Sequence, residues 1–184
     1  MTQSISLVTI NMIVSLSLFV ISVVTPLVHT LILAKTSRVF SDLQEMVLKY
    51  SLFFNIGCSF LVGFAAHFLY PLEMAACTGW SESPFQYELG FSELALASMG
   101  FLCALFNYEF WLATIIASSI WLLGTASVQL VQHGIAFVPC WNIVIAAWHI
   151  SLYSIFYNAT NRTLKQWYLG DKSASVATEP ETFN

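Results

Sequence analysis

Charge is what this chain has least of. Only 9% of its 184 residues are Asp, Glu, Lys or Arg, while 58% are hydrophobic and the mean hydropathy is +0.75. A soluble domain needs about 25% charged residues, and here the deficit extends from Ile5 to Tyr157. That excludes a soluble domain carried on a single anchor. A Lys/Arg run is also missing, and the net charge of −4 comes from scattered acids, so nothing could grip nucleic-acid phosphates. The four cysteines, Cys58, Cys77, Cys103 and Cys140, form no Cys-x-x-Cys pair, which leaves a thioredoxin-like centre unsupported. No helix carries His-x-x-x-His spacing, so no metal is expected. The N-terminus lacks the basic region of a signal peptide, and its apolar run over residues 5–34 exceeds an h-region of roughly 7–15 residues. It reads as a retained transmembrane helix.

What is present is long apolar segments. Crossing a hydrocarbon core about 30 Å thick takes roughly 20 apolar residues. Five stretches meet or approach that length: residues 5–34, with Pro26 as a kink, then 49–72, 88–106, 110–131 and 137–157. The expected fold is an all-α integral membrane bundle of about five transmembrane helices over residues 1–157. A polar cytoplasmic tail, 158–184, follows and is expected to be disordered past Asp171. The third and fourth segments are separated only by Asn107-Tyr108-Glu109. Together they are too long for one span, so Asn107 is expected to turn a tight hairpin.

All six basic residues fall in two places: Lys35, Arg38 and Lys49 near the first connection, and Arg162, Lys165 and Lys172 in the tail. Four segments separate the two clusters, an even number, so both can lie in the cytoplasm. The connections 73–87 and 132–140, which contain no Lys or Arg, then face outward and the N-terminus is outside. In this topology the Asn158 and Asn161 glycosylation sequons are cytoplasmic and carry no weight.

Ionisable groups inside a span are costly and mark functional candidates. Glu93 is the sharpest, sharing a face with Gln86, Gly90, Ala97, Gly100 and Ala104. Small residues at this spacing pack helices closely, so Glu93 is expected to point at a neighbouring helix. His67 and His133 sit toward the outer ends of the second and fourth segments, with Gln129 one turn before His133, and Ser118 and Thr125 continue that polar side. A polar binding pocket of His67, Gln86, Glu88, Glu93, Gln129 and His133 is therefore expected in the outer half of the bundle. His149 reads as a buried helix-packing imidazole, and His29 as a group near the inner headgroups. Cys77 and Cys140 share the outer side, where an oxidising compartment would allow a disulfide; Cys58 and Cys103 read as small buried apolar groups. The turn signals Gly79-Trp80 and Ser83-Pro84 place the start of the third helix at Pro84, with Ser83 as its N-cap.

Several stretches carry a resemblance: His67-Phe-Leu-Tyr-Pro71, Gly79-Trp80, Ser83-Pro84-Phe85-Gln86-Tyr87-Glu88-Leu89-Gly90-Phe91, Phe110-Trp111-Leu112-Ala113-Thr114, and Leu122-Leu123-Gly124-Thr125-Ala126. Across residues 55–157 the chain resembles a family of small bacterial membrane proteins, a domain of unknown function with the pattern GW-x(2)-SPFQ-x-E-x-G. The resemblance implies a bacterial inner-membrane location and no mechanism. The family pattern has Gly-His where this chain has Val128-Gln129, and an acidic residue after the Asn matched by Asn142 where this chain has apolar residues and His149.

The functional expectation is a non-enzymatic bundle, transporter-like or accessory, whose outward-facing polar pocket takes a small ligand or a partner. Its surroundings are the lipid bilayer, and the small-residue stripe would serve a homo-oligomer or a membrane partner equally. Two alternatives draw on the same residues: an oxidoreductase acting on thiols or quinones through Cys77 and Cys140, and a lipid-modifying enzyme with Glu93 and His67 as acid and base. No cofactor signature accompanies either.

Overall fold

The computed structural model describes residues 2–33, 39–81, 83–106 and 108–176. These residues are helical, with no strand among them, and the all-α bundle expected from composition is what they form. Helix α1 is Thr2–Leu33, α2 Val39–Ser51, α3 Ser59–Leu69, α4 Pro71–Thr78, α5 Phe85–Leu102, α6 Tyr108–His133 and α7 Phe137–Val176. Four stretches are long and apolar enough to cross a membrane: Thr9–Ile32, Leu43–Leu69, Tyr108–His133 and Phe137–Asn158. The third expected segment, α5, falls short of that apolarity because Glu88 and Glu93 lie in its first half. Its 18 residues still reach about 27 Å, and it lies against α3 with Gln86 and Glu93 turned inward and buried.

The second span is not uniform. Between α2 and α3 the chain winds as a π-helix, Leu52–Cys58, in which each turn holds more than the usual 3.6 residues. This rotates the faces before and after it and buries Asn55. Asn55 Nδ2 donates to Ser22 Oγ on α1 (3.2 Å) and to Ser51 Oγ (3.0 Å), while Trp148 Nε1 on α7 donates to the same Ser51 oxygen (2.9 Å). Hydrogen bonds of this kind hold spans together where the hydrophobic effect gives no preference for helix over lipid. His149 is fully buried beside this node, near the backbone of Ser51 and Ile145, although its ring nitrogens make no well-aligned hydrogen bond. Two turns further along α1, His29 Nδ1 lies 3.4 Å from Tyr50 Oη.

The hairpin between α5 and α6 forms, and it is antiparallel. Cys103 Sγ donates to Thr114 Oγ1 (3.3 Å) near the turn, and Trp121 Nε1 donates to Ser92 Oγ (3.4 Å) further along. Asn107 itself lies outside the described residues. The small-residue stripe holds from Gly90 through Gly100, both buried, but Ala104 is exposed beyond the end of α5. The start of α5 is also one residue later than expected. The Ser83 backbone carbonyl, not its hydroxyl, accepts the Gln86 N–H (3.2 Å), so Pro84 becomes the cap. The last helix does not stop at residue 157. It continues unbroken to Val176, past Asp171, and residues 177–184 lie outside the description.

Candidate functional site

A cavity of about 530 Å³ opens between the helices. Every element except α2 contributes to its wall: Asn11 and Ser15 of α1, Asn55 of the π-helix, Gly63 and His67 of α3, Cys77 of α4, Glu93 of α5, Gln129 and His133 of α6, and Asn142 of α7. The cavity reaches the end of the bundle where the α4–α5 and α6–α7 connections meet. Trp80 Nε1 donates to Gln132 Oε1 across them (3.2 Å). Gly79 closes α4 in the left-handed conformation, φ 72°, with the His133 ring so near that an added Cβ would stand 3.0 Å from its Cε1.

Glu93 lies deep in this space at 6% exposure. Its carboxyl fits because position 63 has no side chain: a Cβ on Gly63 would collide with Glu93 Oε2 and stand 2.8 Å from Cδ. Helix α3 is thereby notched for a carboxyl group. Among the described residues Oε2 has no hydrogen-bond partner despite being buried, and the same holds for Asn55 Oδ1 and Gln129 Oε1, two further lining oxygens. Buried polar atoms are ordinarily satisfied, so three orphaned acceptors around one cavity are the main anomaly in the molecule. His67, 4% exposed, donates from Nδ1 to Gln86 Oε1 at 2.7 Å. That hydrogen bond fixes the tautomer and leaves Nε2 with the lone pair.

Of the six expected pocket residues, His67, Glu93, Gln129 and His133 line the cavity. Gln86 stands behind His67 as its hydrogen-bond partner. Glu88 is exposed and takes no part, because it lies on the opposite side of α5 from Gln86 and Glu93. Asn55 and Gly63 are among the lining residues that the sequence pattern does not single out. Asn55 carried a usable signal, a lone amide in mid-span, whereas Gly63 carried none, since its role exists only relative to Glu93. Among the described residues no group of three His, Cys, Asp or Glu is placed to hold a metal ion.

Cys77 and Cys140 are not joined in a disulfide. Cys140 is exposed and Cys77 half-buried, and burial together with the Glu73 carboxylate pushes the Cys77 thiol up. A raised thiol holds less thiolate at neutral pH, and thiolate is the reactive form. A maleimide should therefore modify Cys140 several-fold faster than Cys77, at rates that prior reduction does not change. A gain in either rate on adding reductant would show that the pair is bonded.

A helical chain with four membrane-length apolar stretches and a mostly apolar cavity that holds a few buried polar groups is, by class, a membrane-type helical bundle. Comparison with protein families places it further: residues 12–137 match DUF6790, a family of unknown function, and the chain belongs to that family. The matched region runs from α1 to the first residue of α7, beginning earlier and ending earlier than the stretch that carries the motifs. No curated protein and no solved structure matches the chain.

Proposed function

We propose that this protein is a multi-pass bundle of the bacterial inner membrane, N-terminus outside and C-terminus cytoplasmic, that binds a small ligand in its outward-facing cavity. The observation that carries the reading is the buried, unpartnered Glu93 carboxyl in a cavity of about 530 Å³. That size is typical of small-molecule sites. An unsatisfied polar atom in an apolar interior costs roughly 1–3 kcal/mol, which a protein recovers when a ligand completes the site. The distribution of basic residues supports the orientation: the cavity end carries none, and Lys49 lies at the far end of the second span.

Gly124 supplies the test. It lines the cavity at an exposed position, and a Cβ built on it meets nothing within 4 Å, so a larger side chain can start there without striking a wall. Gly124→Phe should insert and fold like the natural chain, since almost any residue favours a helix over glycine, by up to about 1 kcal/mol. It should also lose the small molecules that native mass spectrometry detects on the natural protein. If the folded variant keeps the same adducts, the cavity is not the binding site.

The enzyme reading retains one supporting feature, which is that Glu93 and His67 line the same cavity and His67 Nε2 is left as an acceptor. Such a pair can hold a substrate hydroxyl and accept its proton.

A further inference from the structure

We propose that the cavity selects a small organic cation, an ammonium group carried on an apolar body. This rests on the reading of the cavity as a ligand site and names the chemistry the site would accept.

The wall is one-sided in the hydrogen-bonding capacity it leaves buried and unpartnered. Its three unpartnered buried atoms, Glu93 Oε2, Asn55 Oδ1 and Gln129 Oε1, are all oxygens. An amide oxygen only accepts, and so does a carboxylate. The Asn55 amide cannot be turned to offer its nitrogen instead, because Nδ2 is already committed to Ser22 and Ser51. The remaining orphaned donor of this region, Gln86 Nε2, is not part of the wall. A ligand that satisfies this set must bring donors, and an ammonium brings up to three and accepts nothing.

Charge points the same way. A carboxylate in an apolar interior is costly unless paired, yet among the described residues no Lys or Arg lines the cavity. An ammonium ligand would supply the counter-charge that keeps the Glu93 carboxyl ionised; without one the group can stay protonated. An anionic ligand would face Glu93 without compensation.

The rest of the wall suits an organic cation better than a metal ion. Phe60, Trp121 and Trp141 line the space, with Trp80 and Phe85 toward its end. Phe60 and Trp121 meet edge to face at 4.9 Å between centroids. Indole and phenyl faces attract ammonium groups and bury the apolar body attached to them, whereas a small metal ion would need a shell of oxygen or nitrogen ligands.

The test uses the full chain in phosphatidylcholine nanodiscs and three probes of matched size: phenethylammonium, phenethyl alcohol and hydrocinnamate. Binding is measured by equilibrium dialysis against empty nanodiscs. Phenethylammonium should bind at least about tenfold more tightly than the alcohol, a difference within the reach of one charge-assisted hydrogen bond and a desolvated cation–π contact. Hydrocinnamate should bind no better than to empty nanodiscs. Glu93→Gln should bring phenethylammonium down to the level of the alcohol. Gly63→Ala displaces the carboxyl without removing it, and should weaken phenethylammonium while leaving the alcohol unchanged. Alcohol or hydrocinnamate binding as tightly as phenethylammonium overturns cation selectivity but leaves a binding cavity. No binding of any probe above empty nanodiscs overturns both. Should Glu93→Gln fail to insert, the natural chain's ranking of the three probes decides the matter alone.

Discussion

Gly100→Ala should destabilise the bundle by about 3 kcal/mol, at the upper end of what one added methyl group costs in a packed interior. The reason is what the new Cβ would strike. It would overlap Gly57 N, and stand 2.7 Å from Gly57 Cα and 2.9 Å from the Ile56 carbonyl carbon. All three are backbone atoms of the π-helix. No rotamer change relieves such a contact, so α5 would have to move away along the crossing. Gly57→Ala is the control on the same crossing: its Cβ would meet the Phe101 ring at 2.7 Å, and a ring can rotate. The expected ranking, read by SDS-induced unfolding and membrane abundance, is a severe loss for Gly100→Ala and a smaller one for Gly57→Ala. Equal losses would mean that the two helices do not cross as closely as described. Because the π-helix also presents Asn55, a surviving Gly100 variant should bind less ligand as well.

Trp111→Ala should cost about 3–5 kcal/mol, the range for removing a fully buried large aromatic side chain. Trp111 is 1% exposed and ties four parts of the chain together. Its Nε1 donates to the Cys103 carbonyl just past α5 (2.9 Å), and its ring meets Tyr108 at 5.2 Å and Phe156 of α7 at 5.8 Å. The Lys49 ammonium of α2 sits 5.5 Å from its centroid. Trp111→Phe keeps most of the packing and gives up the indole donor, leaving the Cys103 carbonyl unpartnered at a cost of roughly 1–2 kcal/mol. The two variants thus separate packing from hydrogen bonding, with thermal unfolding in detergent as the readout. An alanine variant as stable as the phenylalanine variant would remove Trp111 from the framework. Trp111 does not line the cavity, so this prediction concerns the scaffold, and ligand selectivity should survive in whatever fraction of the Trp111 variants folds.

Much of the candidate site is legible in the residue types alone, because polar residues in an apolar segment have few reasons to be there. Glu93, His67, Gln129 and His133 stand out on that ground and share one cavity. Glu88 meets the same criterion and still lies outside the site. It sits in the first turn of its helix, close enough to the end that exposure costs it little. Asn55 meets the criterion too, as a lone amide in mid-span, and the structure buries it with its oxygen unpaired. The π-helix around it was not legible, since nothing in Leu52–Cys58 distinguishes its period from an ordinary helix. The length of α7 was not legible either: polar composition argues for disorder past Asp171, yet the helix runs on to Val176.

Composition by itself settled the class. In lipid the backbone must be satisfied by helices or a closed barrel, and long continuous apolar stretches lack the alternation of barrel strands, so helices follow from residue types without reference to contacts. Which helix faces meet was decided only in three dimensions. The notch that Gly63 leaves for Glu93, the crossing of Gly57 and Gly100, and the joining of the α4–α5 connection to the end of α6 by Trp80 and Gln132 are relations between residues far apart in the chain. Solvent preference, which a sequence displays position by position, is a property of single residues. Complementary shape and unpaired hydrogen-bonding capacity belong to pairs, and they come into existence only when packing brings the partners together.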